Sequence, residues 1–171
     1  DHGIRCLTEG PMYDAENGGW FSGLVTEIVE REDGPHWKAI EPANDGLKQA
    51  YAHAFVILCS SAATVLGRPG ARELLDSALA DQELHWWEPQ FGRVCESWNR
   101  DYTRGESYRG VNANMHTVEA YLAAYDATGD RIWLDRARGI CRFVAEVAEQ
   151  LHWRIPEHFD SEWNMLPDHN I

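Results

Sequence analysis

The residues best suited to chemistry are concentrated at the start of a predicted helix, in residues 112–119. Asn112, Met115, His116 and Glu119 place an amide, a thioether, an imidazole and a carboxylate within two turns of an otherwise apolar segment. Polar groups in such a segment are costly to bury unless they are hydrogen-bonded to each other or to a ligand. At about 100° per residue, Asn112, His116 and Glu119 share one face of the helix and can converge on one small ligand. A histidine standing alone here would more often be a hydrogen-bonded core residue.

Composition excludes several classes of protein. The chain has 171 residues, enough for one domain with a substantial core, and no apolar run approaches the roughly 18 residues of a membrane span. Its 15 Lys and Arg against 28 Asp and Glu give a net charge of −13. This balance disfavours nucleic acid as a partner, because phosphates are bound mainly by basic side chains.

The four cysteines favour a reducing compartment. They are far apart in the chain, none has CxxC spacing, and they are Cys6, Cys59, Cys95 and Cys141. This pattern indicates free thiols in a cytoplasmic protein rather than a disulfide framework. The histidines lack HxxxH or HExxH spacing, so we expect no metal site and no bound cofactor.

Two kinds of helix alternate along the chain. Residues 47–66 and 111–126 are apolar on nearly every side, which is the pattern of a helix buried all round. Residues 71–84 and 131–151 each have one apolar face opposite a charged one. An inner ring of buried helices inside an outer ring of one-faced helices satisfies both patterns. We therefore expect an all-α toroid of helical hairpins, with a two-layer solenoid as the alternative.

The alternation is an internal repeat with a period in the low sixties. Gly67 corresponds to Gly129 at the ends of the two buried helices, and residues 96–98 correspond to residues 161–163. Turn and strand signals fall between the helices. An Asn17-Gly18 turn predicts a hairpin over residues 12–21. The other expectations are a strand at 26–30, a loop at 33–46, and short turn-and-strand segments at 87–98 and 153–163.

Three ordered motifs resemble one family. Residues 48–55 (KQAYAHAF), 110–120 (GVNANMHTVEA) and 151–160 (LHWRIPEHFD), the last followed by Trp163, are similar to the N-acylglucosamine 2-epimerase family. Within that family the likeness is greatest to the mannose and sulfoquinovose aldose–ketose isomerases. The resemblance implies an (α/α)6 barrel, which the helix alternation favours independently. It also implies a small sugar substrate and an enediol intermediate with histidine acid/base chemistry.

The resemblance assigns residues as well as a fold. Tyr51, Asn112, Met115 and His116 fall at positions that line the sugar pocket of the family's isomerases, and His116 is among those needed for activity. Glu119 is a neighbour that can fix the tautomer of the His116 ring. His158 is one further substrate-binding candidate. It lies in the loop after the last helix, from which its side chain can reach the mouth of the barrel.

The resemblance also implies that the chain is one domain, residues 1–171, forming roughly the middle portion of a longer barrel. Family members are roughly twice this length, with an arginine upstream of Asp1 and two acid/base histidines downstream of Ile171. We expect the fragment to be inactive alone and the full-length protein to be able to form a homo-oligomer. Cutting the ring would expose apolar residues of the inner helices to water, namely Phe55, Val56, Ile57, Tyr121 and Leu122.

Two other classes of function stay open. Other (α/α)6 barrels are glycoside hydrolases, which need two carboxylates flanking a glycosidic bond, and Glu157, Asp160 and Glu162 could supply them. The His116 cluster has no role in that mechanism. A non-catalytic carbohydrate-binding or protein-binding member is the third class.

Overall fold

The computed structural model describes residues 2–167. The five helices of this part are α1 (His2–Thr8), α2 (Ala50–Val65), α3 (Ala71–Asp81), α4 (Val111–Thr128) and α5 (Arg131–Gln150). The strands are β1 (Leu24–Arg31), β2 (Gly34–Pro42), β3 (Lys48–Gln49), β4 (Trp87–Glu88), β5 (Arg93–Val94), β6 (Ser97–Trp98), β7 (Arg109–Gly110) and β8 (His158–Phe159). None of the helices described is long and apolar enough to cross a membrane.

The helices form two layers, as the sequence predicted. Helices α2 and α4 pack against each other, while α3 packs on α2 and α5 packs on α4. The one-faced pattern of α3 is confirmed, since all five residues of its apolar stripe are buried, namely Ala71, Leu74, Leu75, Ala78 and Leu79. In α5 the buried positions are Trp133, Ala137, Ile140 and Ala148. These stripes meet the inner helices in one shared core.

The inner helices α2 and α4 are not buried on every side in this part of the ring. Tyr51, Phe55, Met115 and Leu122, on α2 and α4, are 40–49% exposed. The expected exposure of the inner helices is therefore confirmed only for Phe55 and Leu122. The other three residues of that set are buried by the helix packing, namely Val56, Ile57 and Tyr121.

Short strand pairs tie each inner helix to a later loop. Strand β3 pairs with β6, and β7 pairs with β8, in both cases antiparallel. The two pairs are related by the same step of 61 residues, from 48 to 109 and from 97 to 158. This confirms the repeat but corrects its register, because residues 97–98 correspond to His158–Phe159 and not to residues 162–163. Gly67 and Gly129 both have positive φ after the inner helices, as the pairing of these glycines predicted.

The expected loop at residues 33–46 is largely a strand. Strand β2 pairs antiparallel with β1, and Arg31 lies opposite Gly34 across a two-residue turn. The two turn residues are Glu32 and Asp33, and Gly34 has a positive φ at the start of β2. The Asp33-Gly34 pair therefore marks a hairpin rather than the start of a loop. The Asn17-Gly18 turn is confirmed, although Tyr13 and Trp20 form only an isolated bridge instead of a regular hairpin.

Asn114 fastens α4 to the neighbouring loop. Its buried side chain accepts the Val94 N–H at 3.0 Å and donates to the carbonyls of Val94 and Gly110 at 3.2 and 3.1 Å. The residue two positions earlier in the motif, Asn112, is exposed. Asn114 is therefore a buried structural residue, whereas Asn112 is accessible to a ligand.

We expect Asn114→Ala to lower the free energy of unfolding by about 2–4 kcal/mol, because it leaves buried backbone groups without partners. The matched change Asn112→Ala, at an exposed position, should stay within about 0.5 kcal/mol. Urea denaturation of both variants measures the difference. Equal losses would show that the three hydrogen bonds of Asn114 contribute nothing particular to stability.

Candidate active site

The candidate site lies at the amino-terminal end of α4, where the helix presents four functional side chains. With about 100° per residue, Met115, Glu119, Asn112 and His116 follow one another around the helix over roughly 100°. The first three line a groove between α4 and α5, whereas His116 is rotated toward α2. The expected single face of α4 is thus broad, with one part directed toward α5 and another toward α2.

His116 is held by contacts on three sides. Its Nδ1 lies 2.8 Å from Glu119 Oε2, one helical turn further on. The ring of Tyr51 meets the imidazole edge to face at 4.9 Å between centroids, and the ring of Phe55 lies at 5.0 Å. The His116 side chain is 20% exposed, so it is positioned but still accessible.

The Glu119 contact fixes which nitrogen of His116 is available. A carboxylate can only accept a hydrogen bond, so the proton of this contact belongs to Nδ1. In the neutral ring Nε2 then carries the lone pair, and within residues 2–167 no hydrogen-bond partner of Nε2 is found. The arrangement presents Nε2 as a proton acceptor, and as a donor once the ring is protonated.

The groove between α4 and α5 has a volume of about 610 Å³. Its polar lining comes from Asn112, Glu119 and Glu157, and its apolar lining includes Met115 and Trp153. A few polar groups in a mostly apolar concavity are typical of small-molecule sites.

The backbone at the start of α4 is held by side chains from two other loops. Glu157 Oε1 accepts the Asn112 N–H at 2.9 Å, and Glu96 Oε2 accepts the Gly110 N–H at 3.0 Å. These acceptors satisfy groups that the first turn of a helix cannot satisfy itself. His158 lies on this side of the site, where its Nδ1 is 2.7 Å from the Tyr108 hydroxyl.

Glu96 has an unusual protonation equilibrium. Burial, together with the nearby carboxylates of Glu106 and Glu157, raises its pKa to about 7. The Gly110 N–H and the Arg109 guanidinium act in the opposite direction. Near neutral pH this carboxyl is therefore divided between its neutral and charged forms.

The structure brings most of the predicted site residues together. Tyr51, His116 and Glu119 form one contact group, and Asn112 and Met115 continue it along the groove. His158 instead lies beside Tyr108.

Sequence reasoning missed three neighbours of this site. Phe55 packs on His116 one turn after Tyr51, and the i, i+4 spacing of the two aromatic residues could have indicated it. Glu96 and Glu157 were not predicted to hold α4, since their contacts join residues far apart in sequence.

Two of the acidic residues that could serve glycoside hydrolysis have backbone contacts. Glu157 holds α4, and Asp160 accepts the N–H groups of Glu162 and Asn164 within its own loop, both at 2.9 Å. Within the part of the chain described, no three metal-ligating side chains converge as an ion would require.

An inner and an outer layer of helices, with polar side chains at the start of an inner helix, define part of an (α/α)6 barrel of the sugar-epimerase type. A model of the N-acylglucosamine 2-epimerase (GlcNAc 2-epimerase) family matches residues 1–171, and the chain belongs to this family. This confirms the resemblance that the three motifs indicated.

Individual relatives agree with this assignment. The D-mannose isomerase of Thermobifida fusca is 48% identical over 171 residues, covering 99% of this chain and 39% of the relative. The crystal structure of a D-mannose isomerase superposes with a TM-score of 0.79 at 27% identity, covering 99% of this chain and 40% of that one. The cellobiose 2-epimerase of Bacillus thermoamylovorans B4167 has the same fold, with a TM-score of 0.73 at 20% identity over 96% of this chain and 42% of that one. The chain thus spans about two fifths of the length of the relatives it matches.

Proposed function

We propose that this chain supplies one wall of the active site of an aldose–ketose isomerase that acts on a mannose-type sugar. The observation that carries the proposal is the His116–Glu119 contact, flanked by Tyr51, at positions that match the family's isomerase motifs. The similarity to proteins named D-mannose isomerase supports this choice of substrate class.

The reaction moves a proton from C2 of the open-chain aldose to C1, and a proton between the oxygens O2 and O1. An enediol or enediolate lies between the two sugars, so its oxygens must gain and lose protons or carry charge. His116 Nε2 meets this need. The neutral ring accepts a hydroxyl proton, and the protonated ring donates a hydrogen bond to the enediolate oxygen. The Glu119 carboxylate stabilises the protonated ring and keeps its orientation.

The other residues hold the sugar. The phenol of Tyr51 and the amide of Asn112 are suited to sugar hydroxyls, and Met115 shapes the apolar wall of the groove. The ring of Phe55 also packs against the His116 ring and, with Tyr51, helps to hold its orientation. The carbon-bound proton is transferred by groups outside this chain, on the family pattern of further histidines.

In this proposal the chain forms one part of a complete barrel as long as those of its relatives. We use the term full-length protein for the polypeptide that contains this chain and forms the complete barrel. Its activity is tested with D-mannose in deuterated water. Ketose formation with deuterium incorporated at the transferred position is the expected result. A parallel assay with a glycan as substrate tests the alternative, because release of a smaller sugar would indicate a hydrolase instead. The absence of any product in both assays would favour a binding protein.

Two substitutions in the full-length protein separate binding from chemistry. We expect Tyr51→Phe and Asn112→Ala to raise KM by about threefold to tenfold and to change kcat by less than twofold, because hydroxyl contacts act similarly in the ground and transition states. Initial rates of ketose formation over a range of D-mannose concentrations give both constants. A fall in kcat with unchanged KM would assign these residues to the chemical step.

A further inference from the structure

The first turn of α4 has no cap of its own. The residue before it, Gly110, carries no side chain, so the N–H groups of the first turn need acceptors from elsewhere. Glu157 provides two of them, its main-chain carbonyl for the Val111 N–H at 3.1 Å and its carboxylate for the Asn112 N–H at 2.9 Å. Both contacts reach across more than 40 residues of sequence. The position of Asn112 therefore depends on a loop that follows α5.

Glu96 and Glu157 approach the same point. A Cβ atom added to Gly110 would lie 3.0 Å from Glu96 Oε2 and 3.1 Å from Glu157 Oε1, so the two oxygens are within about 6 Å of each other by the sum of these distances. The Tyr108 hydroxyl is also 3.1 Å from that point. A side chain at position 110 would therefore have to displace these carboxyl and hydroxyl oxygens by a few tenths of an ångström.

Several charged or titratable groups surround this pair. They come from the loop after β6, from β7, and from the segment that includes β8, and they are Glu106, Tyr108, Arg109 and His158. Arg109 is itself paired with Glu88, through contacts of 2.7 and 2.9 Å, so its charge is largely compensated. Ionised Glu96 and Glu157 repel each other, and this repulsion contributes to the raised pKa of Glu96.

We propose that Glu157 is a positioning residue that holds Asn112 in place for the sugar, and that the protonation of Glu96 controls how firmly it does so. This inference rests on the proposed function for its substrate. When Glu96 is neutral, no charge on Glu96 opposes the contact between the Glu157 carboxylate and the Asn112 N–H. When Glu96 is charged, repulsion between the carboxylates weakens that contact.

The sign of the pH effect follows from Glu96. Burial and neighbouring carboxylates raise its pKa to about 7 from an ordinary 4.5, so in the folded protein the charge appears as the pH rises through neutrality. Between these two values the folded state binds more protons than the unfolded state. Stability that Glu96 contributes at low pH is therefore lost as the pH rises toward 7, and the hold on Asn112 weakens in the upper part of the same range.

The test uses the full-length protein with KM and kcat for D-mannose measured from pH 6 to pH 8.5. We expect KM of the parent to rise about threefold across this range, and Glu96→Gln to abolish most of the rise while leaving the pH profile of kcat unchanged. Glu157→Ala should raise KM about fivefold at all pH values. Glu157→Gln, which keeps an acceptor for the Asn112 N–H, should restore most of the parental KM at pH 6.

Two controls separate positioning from general damage. Glu149→Gln removes an exposed carboxylate near the end of α5 and should change neither constant. Amide hydrogen exchange at Asn112 should be faster in Glu157→Ala than in the parent by about tenfold. The Val111 amide keeps its main-chain acceptor in this variant, so it should be unchanged together with the rest of α4. This exchange does not depend on turnover, so it tests the hold on α4 even if the parent converts no D-mannose.

The inference fails if the Asn112 amide of Glu157→Ala exchanges at the parental rate, or if KM keeps its parental pH dependence in Glu96→Gln. A parent without isomerase activity but with the exchange pattern described would instead contradict the proposed function while leaving the hold on α4 supported. If Glu157→Ala does not fold, the first criterion is applied to Glu157→Gln. Glutamine has no charge that Glu96 can repel, so exchange of the Asn112 amide at the parental rate at pH 8.5 would overturn the inference.

Discussion

Replacing His116 by alanine in the full-length protein should lower kcat/KM for aldose–ketose interconversion by about two to four orders of magnitude. Loss of an imidazole that exchanges a proton with the enediol oxygens, or that donates to the enediolate, has an effect of this size. Glu119→Gln should have a smaller effect, about tenfold, because the ring stays but its protonated form is no longer stabilised by a carboxylate. Ketose formation per folded molecule is the measurement.

His53→Ala is the control for this prediction. His53 is fully buried on the opposite side of α2 from Tyr51, with Nε2 2.8 Å from Asp81 Oδ2, so it contributes to the core rather than to the site. Its replacement should reduce stability and leave the rate per folded molecule near the parental value. If His116→Ala keeps the parental kcat/KM while His53→Ala loses it, the catalytic face has been assigned to the wrong side of the helices.

Asp14→Ala should lower the free energy of unfolding by about 3–5 kcal/mol, because it leaves a buried cation without its anion. Asp14 is buried, and its carboxylate lies 3.1 Å from the fully buried ammonium of Lys48 and 3.3 Å from Arg100. Breaking such a pair costs more than the pair itself contributes. Urea denaturation at pH 7 measures the loss. The exposed neighbour Glu16 also pairs with Arg100, yet Glu16→Ala should cost less than about 0.5 kcal/mol.

The same pair predicts how stability depends on pH. Burial would raise the pKa of Asp14, but hydrogen bonds from Asn17, Arg100 and Lys48 outweigh it and lower the pKa to about 2 from 3.8. The contribution of Asp14 is fully present above pH 4 and is lost as the pH falls toward 2. Burial also lowers the pKa of Lys48, so Asp14→Ala should recover stability as the pH rises and Lys48 loses its proton. A variant whose stability is independent of pH between 8 and 10 would contradict this account.

Sequence reasoning succeeded where the structural cause is local. The stripe of α3, the ends of the inner helices at Gly67 and Gly129, and the contact of His116 with Glu119 all follow from helical periodicity or turn chemistry. Such features depend on residues a few positions apart. The family resemblance added the expectation of an (α/α)6 barrel and of one sugar pocket shared by Tyr51 and His116.

It failed where the cause is distant in sequence. The anchoring of α4 by Glu96 and Glu157 joins loops that only the folded chain brings together. The true register of the repeat is likewise set by strand pairing and not by the matching tryptophans of residues 98 and 163. Strand β2 was missed for another reason, since Gly34 and Pro35 at its start and Pro42 at its end resemble the composition of a loop.

The packing of α2 directly on α4 also determines the order in which this region can fold. Each inner helix contacts the outer helix that follows it after a few residues, so the two helical hairpins can form by fast, short-range closure. The contact between α2 and α4 closes a segment of about 60 residues and carries a larger loop entropy. We expect docking of one hairpin on the other, followed by closure of the β3–β6 and β7–β8 pairs, to be the slow step of folding. On this expectation the side chains of Tyr51 and His116 come together late in folding.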